Sequence, residues 1–457
     1  MTAPLRWLLS SLGGGERLET QPDLAARADA HAAPGEVRVW VDTTRRFQRL
    51  LGFGGAFTEA AAVTWRRLPE ALRERLLREH FDPDPAQGHG YTLCRVPMGS
   101  CDFSLGNYAH VEQSGDTALS SFSIERDRQA LIPMIRAAQR AAGRPIRLLA
   151  SPWSPPAWMK DTGRMNEGGR LRPECRDAWA RCYVRFIQAY ADEGIPVWGV
   201  SVQNEPEAHQ RWDSCLYSAE QERDFVRDHL GPALHAAGLG DVKIVVWDHN
   251  RDVLVERASV IYRDPAAAKY VWGTGFHWYG EDQFDQVRLV HDAWPDKQLL
   301  FTEGCQEGGP HHGSWALAER YARSIVNDLN RWTVGWIDWN LLLDADGGPN
   351  HVGNLCSAPV LATRDADGLQ HQSSFFAIGH FARHIRPGAE RVLASSSREA
   401  VLVTAFIHDG GSVAVVAVNL GDGEAPLRLA IDGQAWSATL PAHAIATFAL
   451  SASGSRT

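Results

Sequence analysis

Between about residue 50 and residue 385, short apolar runs alternate with segments whose apolar residues recur at helical spacing. Each run passes into a loop rich in glycine, proline or asparagine before the next helical segment begins. Eight such runs predict eight parallel strands, each followed by a helix, and therefore a (β/α)₈ TIM barrel. The predicted strands end at Phe53, Arg95-Val96, Leu148–Ala150, Val200–Val202, Val245–Trp247, Gly275–His277, Leu300–Thr302 and Ile337–Trp339. The predicted helices include Pro69–Phe81, Arg128–Ala142, Asp177–Glu193, Glu220–Ala237, Trp315–Leu329 and Phe375–Ile385.

After about residue 387 the sequence changes to short runs rich in Val, Ala and Thr, separated by Gly/Asp turns. This pattern predicts an antiparallel β-sandwich. Arg38–Asp42 has the same composition, so we expect it to add a strand or two to that sheet. The predicted units are residues 1–48, which contribute to the sandwich, 49–386, the barrel, and 387–457, the C-terminal sandwich, whose tail from Ser451 is expected to be disordered. Its predicted strands are Arg391–Ser396, Ala400–Ile407, Ser412–Asn419, Ala425–Ile431, Ala435–Leu440 and Ile445–Leu450.

Composition and charge exclude several classes of protein. The net charge of −9 argues against a nucleic-acid binder, which usually carries a basic face. Seven cysteines without paired spacing predict buried, reduced thiols in a cytosolic protein, and Cys305 is expected to be a packing residue. The apolar stretch at the N-terminus is short and interrupted by serine, unlike a signal peptide, and no apolar run is long enough to span a membrane. A cytoplasmic location is therefore expected.

Two glutamates stand where predicted strands run out into loops. Glu205 follows the fourth strand, between Asn204 and Pro206, and Glu303 follows the seventh strand, before Gly304. Because the carboxyl ends of the strands meet at one face of a TIM barrel, we expect the two carboxyl groups to lie close together. Glycoside hydrolysis requires such a pair: one carboxyl protonates the leaving oxygen, and the other attacks the sugar or activates water.

The residues around the two glutamates fit these roles. A general acid needs a raised pKa, which a second carboxylate partly supplies, and Asn204 can bind a sugar 2-hydroxyl. A nucleophile must stay ionised, and Arg95 and Tyr279 are well placed to donate to Glu303. His277 shares the loop of Tyr279 and is a third candidate to support Glu303. Each feature alone also has an ordinary explanation, because Arg95 suits a structural salt bridge and Asn-Glu-Pro suits a polar turn.

Other predicted strand ends carry polar or aromatic side chains suited to a sugar pocket. Asp102 follows the second strand, Trp153 the third and Trp339 the eighth, and Gly347–Asn354 forms a long polar loop. Carboxylates and amides bind sugar hydroxyls, and indole rings present an apolar face to a sugar ring. Glu207, further along its loop, is expected at the rim.

Two motifs could indicate other chemistry. His311-His312 is a pair of potential metal ligands, but no third ligand accompanies it at a typical spacing, so we expect a surface loop. Gly52-Phe-Gly-Gly55 lacks the lysine and hydroxyl residue of a phosphate-binding loop, so we expect a tight turn at the end of a strand. No metal ion or cofactor is predicted.

Seven motifs, in the same order, resemble glycoside hydrolase family 30. The resemblance implies a barrel fused to a β-sandwich, and a retaining mechanism through a covalent glycosyl-enzyme intermediate, with the carboxyl groups about 5–5.5 Å apart. It implies that Glu205 is the acid/base and Glu303 the nucleophile, held by Arg95 and Tyr279, and that the sugar is bound by Asp102, Trp153, Asn204, Trp339 and Asn354. The motifs are Gly52–Glu59, Arg95–Ser104, Ser151–Trp158, Gln203–Glu207, Phe276–Tyr279, Thr302–Gly304 and Asp338–Asn340 with Gly347–Asn350.

The expected substrates are β-glucosides, of the glucosylceramide kind or otherwise. Family members also act on β-xylosides, β-fucosides, β-1,6-glucans and glucuronoxylan; the last is least expected because no dense basic cluster for a glucuronate is present. His351 stands where a family member has an aromatic residue at the pocket mouth, which leaves the aglycone open. A non-catalytic sugar-binding protein and a metal-dependent hydrolase on the same barrel are the alternatives from other classes.

Overall fold

The computed structural model describes residues 4–14, 17–28, 33 and 35–452. The end of the tail that was expected to be disordered, residues 453–457, lies outside them. Within the described residues, four strands precede the barrel: β1 (Leu5–Ser11), β2 (Glu19–Leu24), β3 (Arg27–Ala28) and β4 (Val37–Arg49).

Eight parallel strands then close into a barrel, which confirms the predicted (β/α)₈ architecture. Glu205 follows the fourth barrel strand and Glu303 ends the seventh, as predicted. The barrel strands are β5 (Gly52–Ala56), β6 (Leu93–Pro97), β7 (Arg147–Ser151), β8 (Val197–Ser201), β9 (Lys243–Asn250), β10 (Val271–His277), β11 (Gln298–Glu303) and β12 (Thr333–Asn340).

Helices surround the barrel on its outside. They are α1 (Glu59–Arg67), α2 (Glu70–Phe81), α3 (Glu125–Gln129), α4 (Leu131–Ala142), α5 (Arg176–Asp192), α6 (Ala219–Phe225), α7 (Gly231–Ala236), α8 (Leu254–Tyr262), α9 (Pro265–Ala268), α10 (Phe284–Ala293), α11 (Ala316–Leu329) and α12 (Ser373–Ala382). No helix in the described part of the chain has both the length and the apolar composition that crossing a bilayer requires. The predicted helix Glu220–Ala237 is interrupted by a π-helical turn, Val226–Leu230. Pro232 explains the interruption, because it has no N–H to continue an α-helical ladder.

The interior of the barrel is filled by apolar side chains from several strands. Leu93, Leu149, Val245, Leu300 and Ile337 form one buried cluster there. The glycine motif expected as a turn is in fact strand β5 itself. A side chain at Gly54 would place its Cβ 1.6 Å from the carbonyl oxygen of Leu93, so the missing side chain lets β5 approach β6 closely.

The remaining strands form a hairpin and the sandwich. The ten strands of the sandwich sheet run in the order β2-β1-β20-β17-β16-β15-β4-β18-β19-β3, so both ends of the chain contribute to it. Strand β4, which contains the predicted Arg38–Asp42, pairs with β15 on one side and β18 on the other. These strands are β13 (Val360–Ala362), β14 (Leu369–His371), β15 (Glu390–Ser396), β16 (Val401–Ile407), β17 (Val413–Asn419), β18 (Ala425–Ile431), β19 (Gln434–Leu440) and β20 (Ala444–Leu450).

Strand β17 shows how the sandwich attaches to the barrel. Its alternate residues Val413, Val415 and Ala417 belong to the core of the sandwich, whereas Ala414, Val416 and Val418 belong to the large core shared with the barrel helices. Because successive side chains of a strand point to opposite faces, one strand serves both cores. In the same interface, the buried ring of His380 in α12 contacts the hydroxyl groups of Ser10 and Thr447, each at 2.9 Å.

Candidate active site

A pocket of about 320 Å³ opens at the carboxyl ends of the barrel strands. Charged and polar side chains lie at its base and indole rings form part of its walls. Among the residues that line it are Asp102, Trp153, Glu205, Trp212, His249, Tyr279, Glu303, Cys305, Trp339 and Asn354. The strand-end residues predicted to form a site thus lie around one cavity, as the barrel topology requires.

Glu303 is buried at the end of β11, and both of its carboxylate oxygens accept hydrogen bonds. Arg95 Nη1 donates to Oε2 at 2.6 Å, and the hydroxyl of Tyr279 donates to Oε1 at 2.9 Å. The register of β10 and β11 shifts by one residue here, so that His277 pairs with Glu303 rather than Thr302. Such a bulge re-aims a side chain, and it helps to direct Glu303 into the pocket.

Arg95 connects four side chains beneath the pocket. In addition to Glu303, its guanidinium donates to Asp248 at 2.7 Å, to Asn204 Oδ1 at 2.8 Å and to the hydroxyl of Ser151 at 3.0 Å. The side chain is fully buried. A fixed fork of donors suits this task, because the planar guanidinium holds several acceptors in defined directions. Arg95 therefore fixes Glu303 relative to the neighbouring strands.

Asp248 is the second acidic partner of Arg95, and the sequence reasoning missed it. A bulge in β9 makes Asp248 an extra residue: Gly275 pairs with Trp247 and Phe276 with His249. Trp247 and Asp248 both have left-handed backbone conformations, with φ of 71° and 53°. Burial alone would raise the pKa of Asp248, but Arg95 and His277 hold it well below its usual range. Asp248 is therefore ionised.

Glu205 lies opposite Glu303, beyond the end of β8. Its backbone is left-handed, with φ of 49°, and its N–H donates to the carbonyl oxygen of Asp248 at 3.0 Å. Its Oε1 lies 3.3 Å from His277 Nδ1 and 4.0 Å from His249 Nε2. One carboxylate oxygen of Glu205, one of Glu303 and a ring nitrogen of His277 lie within 4.8 Å of one another. This spacing is close to that of a retaining glycosidase.

The two glutamates titrate as a pair because each disfavours the charge of the other. Burial raises the pKa of Glu303, and the carboxylate of Glu205 acts in the same direction, against His277 and Arg95. Burial also acts on Glu205, but His249 and His277 outweigh it and lower its pKa. Two acidic groups so close together favour a state in which the pair holds one proton and one negative charge.

His277 lies between the acidic groups, and its contacts differ from those predicted. We expected it to support Glu303, but its ring nitrogens face Glu205 at 3.3 Å and Asp248 at 2.9 Å. Burial lowers the pKa of His277, yet the carboxylates of Glu303, Asp248 and Glu205 outweigh burial and raise it to about 9. The ring therefore carries a positive charge at neutral pH and acts on both glutamates.

Asp102 and two tryptophans form part of the pocket lining. Asp102 Oδ2 accepts hydrogen bonds from Asn354 at 3.0 Å and from Asn350 at 3.2 Å. Burial raises the pKa of Asp102 to about 7, although these bonds act in the opposite direction. The rings of Trp153 and Trp339 stack with centroids 5.1 Å apart. A carboxylate beside indole faces suits a hydroxylated ring with an apolar face.

The other predicted residues lie at or around this pocket. Asn204 is buried beside Arg95, and Glu207 is an exposed residue paired with Arg257. The rings of His311 and His312 contact backbone carbonyl groups in an exposed loop. Sequence reasoning overlooked Asp248, His249 and Asn250, although these three polar residues follow directly on the apolar run of the fifth barrel strand. The rule that identified the glutamates applies equally there.

Glu205, His277 and Glu303 have the geometry of a metal site, since their ligand atoms lie within 4.8 Å of one another. Their hydrogen bonds favour a different arrangement. Arg95 and Tyr279 already donate to both oxygens of Glu303, and a guanidinium at 2.6 Å opposes a second cation at the same carboxylate.

Two domain families match the chain. The glycosyl hydrolase family 30 TIM-barrel domain matches residues 50–385, and the family 30 beta sandwich domain matches residues 388–448. The chain belongs to glycoside hydrolase family 30. Because that family consists of retaining β-glycosidases, this family 30 enzyme is an O-glycosyl hydrolase of the retaining type. The resemblance drawn from the seven motifs is confirmed.

Relatives agree with the assignment over most of the chain. The lysosomal acid glucosylceramidase of Mus musculus is 36% identical over 423 residues, which cover 88% of this chain and 81% of the relative. The crystal structure of SrfJ from Salmonella typhimurium superposes with a TM-score of 0.94 at 37% identity, covering 98% of this chain and 100% of SrfJ. The endo-β-1,6-glucanase BT3312 superposes with a TM-score of 0.88 at 26% identity, covering 99% and 100%.

Proposed function

We propose that this family 30 enzyme hydrolyses β-glucosides, with Glu303 as the nucleophile and Glu205 as the acid/base. The observation that carries the role assignment is the unequal support of the two carboxylates. Glu303 accepts hydrogen bonds on both oxygens, from Arg95 and Tyr279, and such bonds favour the ionised form. We assign the negative charge of the pair to Glu303 and its proton to Glu205. This assignment runs against the directions of the pKa shifts given above for the two glutamates. It follows the hydrogen bonds, because Arg95 and Tyr279 donate directly to Glu303, whereas the proton of Glu205 has a glycosidic oxygen to go to.

In the first step, Glu303 attacks the anomeric carbon while Glu205 protonates the departing glycosidic oxygen. The bond from the anomeric carbon to the aglycone breaks as the bond to a Glu303 oxygen forms. Arg95 holds the attacking carboxylate in place, so little reorganisation is needed. Once Glu303 is esterified its charge is gone, which lowers the pKa of Glu205 because the like charge no longer opposes ionisation.

In the second step, Glu205 acts as a base. It takes a proton from a water molecule, which attacks the anomeric carbon from the side that the aglycone has left. The sugar departs with its original configuration, Glu303 regains its charge, and Glu205 regains its proton. The charge of His277 beside Glu205 stabilises the carboxylate while it serves as the base.

The choice of glucose rests on the 36% identity with a glucosylceramidase and on the pocket. Asp102 and the asparagines beside it offer acceptors and donors for hydroxyl groups, and Trp153 and Trp339 offer an apolar surface. A β-1,6-glucan is the second candidate substrate, because the chain superposes over almost its full length on an endo-β-1,6-glucanase. The two candidates share the glycone and differ in the aglycone.

The test is a set of initial rates on aryl β-glucoside, β-xyloside, β-fucoside and β-galactoside, measured beside the Glu303→Gln variant. We expect the glucoside to be cleaved fastest and the variant to be inactive while still binding the sugar. Faster cleavage of another glycoside would refute the choice of glucose. Rates on glucosylceramide micelles and on a β-1,6-glucan then distinguish a lipid aglycone from a glycan.

We also propose a cytoplasmic location. All seven cysteines are buried free thiols, and free thiols persist in a reducing compartment. Fractionation of cells that express the native gene tests this: the protein should accompany a cytoplasmic marker, and recovery with secreted or envelope proteins would refute it.

A further inference from the structure

The thiol of Cys305 contacts a group that holds Glu303. Its sulfur lies 3.5 Å from the phenol oxygen of Tyr279, and that phenol donates to Glu303 Oε1 at 2.9 Å. Cys305 is 3% exposed, and both Cys305 and Tyr279 line the active-site pocket. The sequence predicts only a packing residue at this position, so the contact between the thiol and the phenol calls for an explanation.

The phenol of Tyr279 has one proton and two neighbouring acceptors, Glu303 and Cys305. The carboxylate of Glu303 is the nearer acceptor, and a hydrogen bond to an ionised acceptor is about twice as strong as one between neutral groups. The proton of Tyr279 therefore points to Glu303. The phenol oxygen is left to accept a hydrogen bond from the thiol of Cys305. Because sulfur is larger than oxygen, the separation of 3.5 Å suits an S–H···O bond.

Cys305 has a second neighbour, the thiol of Cys356. That thiol and burial raise the pKa of Cys305 well above its usual range, so Cys305 keeps its proton and can donate it. Sulfur is a weak acceptor, so the phenol oxygen of Tyr279 is the better destination for the proton. Cys356 then donates to the sulfur of Cys305 or to the carbonyl oxygen of Asn354 at 3.8 Å.

The backbones of Cys305 and Tyr279 are both held in place. Trp278 Nε1 donates to the carbonyl oxygen of Cys305 at 3.1 Å. The backbone N–H of Tyr279 donates to Asn250 Oδ1 at 2.8 Å. Since neither backbone is free to shift, the contact between sulfur and phenol limits how far the phenol can move from Glu303.

We propose that Cys305 is a positioning residue that keeps the O–H of Tyr279 directed at the nucleophile. The proposal rests on the proposed function in that Glu303 is taken to be the nucleophile. The thiol donates to the phenol oxygen and so leaves the phenol proton for Glu303. A donor held in this way favours the ionised form of Glu303, which is the form that attacks the sugar. The effect of Cys305 on the rate therefore passes through Tyr279.

The test is a double-mutant cycle of Cys305→Ala and Tyr279→Phe, with kcat/KM measured on the aryl glycoside that the enzyme cleaves fastest. We expect Cys305→Ala to lower kcat/KM about tenfold, mainly through kcat, which is the effect of about one hydrogen bond. In the Tyr279→Phe background the same change should cost less than about twofold. Equal losses in the two backgrounds would overturn the proposal.

Two further variants separate the donor from the space that it fills. Cys305→Ser keeps a donor and should restore most of the rate that Cys305→Ala loses. Cys182→Ala removes a buried thiol from α5 that does not line the active-site pocket, and it should retain the wild-type kcat/KM. A serine variant as slow as the alanine variant would mean that the hydrogen bond of Cys305 has no part in catalysis.

The pH profile of kcat/KM supplies a second readout. Its acidic limb reports protonation of the two coupled glutamates in the free enzyme. Because a loosened Tyr279 favours the ionised Glu303 less, the acidic limb should move to higher pH in Cys305→Ala, as in Tyr279→Phe. It should stay in place in Cys305→Ser. An unmoved limb in Cys305→Ala would overturn the proposal.

An infrared measurement leaves the thiol in place. The S–H stretching band of Cys305, identified by its absence from Cys305→Ser, should shift to higher frequency in Tyr279→Phe because the acceptor is gone. An unchanged band would overturn the proposal. Glu303→Gln separates the two levels of inference: an active variant refutes the proposed function. If that variant is inactive but Cys305→Ala has the wild-type rate and pH profile, only the role of Cys305 fails.

Discussion

Strand β17 of the sandwich and the carboxyl ends of barrel strands β6, β9 and β11 are both shielded from water, but they differ in the side chains that they bury. Every residue from Val413 to Val418 is alanine or valine, and each packs into one of two apolar cores. At the end of the barrel the buried groups are instead Arg95, Asp248 and Glu303, with His277 beside them. Apolar burial stabilises a fold, whereas buried charges repay their desolvation only when their geometry is nearly ideal.

The backbone shows the same contrast. The pairing of β17 with β16 and β20 is regular along its whole length, but β9 and β11 each carry a bulge where they reach the pocket. Glu205, Trp247 and Asp248 have positive φ values, which are costly for residues other than glycine. The barrel thus holds strained backbone and buried charge in one place. The residues there are explained by catalysis, and those of β17 by stability.

The largest expected effect is on catalysis. Glu303→Ala should lower kcat at least about 10⁴-fold, because no other group forms the covalent intermediate, and Glu205→Ala should lower it most for substrates with poor leaving groups. Added azide should restore activity in both variants but through opposite faces of the sugar. It replaces the carboxylate in Glu303→Ala and gives the α-azide, whereas in Glu205→Ala it attacks the glycosyl-enzyme and gives the β-azide. NMR of the products distinguishes them.

Glu207→Ala is the control for these variants, since its exposed carboxylate pairs with Arg257 outside the pocket. It should retain wild-type kcat. The same azide anomer from both catalytic variants would show that the two roles are not divided between Glu205 and Glu303 as proposed.

The next largest effect is on the free energy of unfolding, for one substitution in the barrel and one in the sandwich. Arg95→Met should reduce the free energy of unfolding by about 3–5 kcal/mol, because it leaves the carboxylates of Asp248 and Glu303 buried without their cation. Leu440→Ala, in the sandwich core, should cost about 2–5 kcal/mol through the cavity that it creates. Urea unfolding checks both values. Only Arg95→Met should also abolish turnover below its unfolding range; normal turnover in that variant would contradict the role of Arg95 at Glu303.

A smaller effect concerns the pH dependence of stability through His277. Its folded-state pKa of about 9 lies above that of an unfolded histidine, about 6.5. The contribution to stability is therefore fully present below about pH 6.5 and is lost as the pH rises through 9. The difference in unfolding free energy between wild type and His277→Gln should shrink by about 3 kcal/mol between pH 6 and pH 10. A constant difference would mean that His277 is not charged.

Much of the contrast between the apolar sandwich strand and the charged strand ends of the barrel could be predicted from the sequence, because it depends on residue patterns along single strands. The alternation of apolar runs and helices predicted all eight barrel strands, and the position of Glu205 and Glu303 at strand ends placed them at one face. Strand β1 was not predicted, since Leu5–Ser11 looked like an interrupted apolar stretch and its partner, β20, lies at the other end of the chain.

The contacts within the charged network around Arg95 depend on β-bulges, which the alternation of inward and outward residues along a strand cannot reveal. Counting by twos from Val245, which faces the barrel interior, places Trp247 inside and Asp248 outside. The bulge reverses this order: Trp247 packs against Arg257 of α8 on the outside, and Asp248 reaches Arg95. The partners of His277 depend in the same way on distances between loops that are far apart in sequence. Residue types were therefore predictable, and the contacts between them were not.

The smallest expected effect is that of metal chelation. It tests whether the buried charged residues of the barrel catalyse by acid–base chemistry or bind a metal ion. Glu205, His277 and Glu303 could ligate a cation, but the cation would have to displace the proton of His277 and the donors of Arg95 and Tyr279. The ion would then lie beside the guanidinium of Arg95, 2.6 Å from the same carboxylate, and the two positive charges would repel each other. Dialysis against EDTA should leave kcat unchanged within about twofold. If activity were lost and then restored by a divalent ion, the Arg95 network would be holding a metal site, and Glu303 would be a ligand rather than the nucleophile.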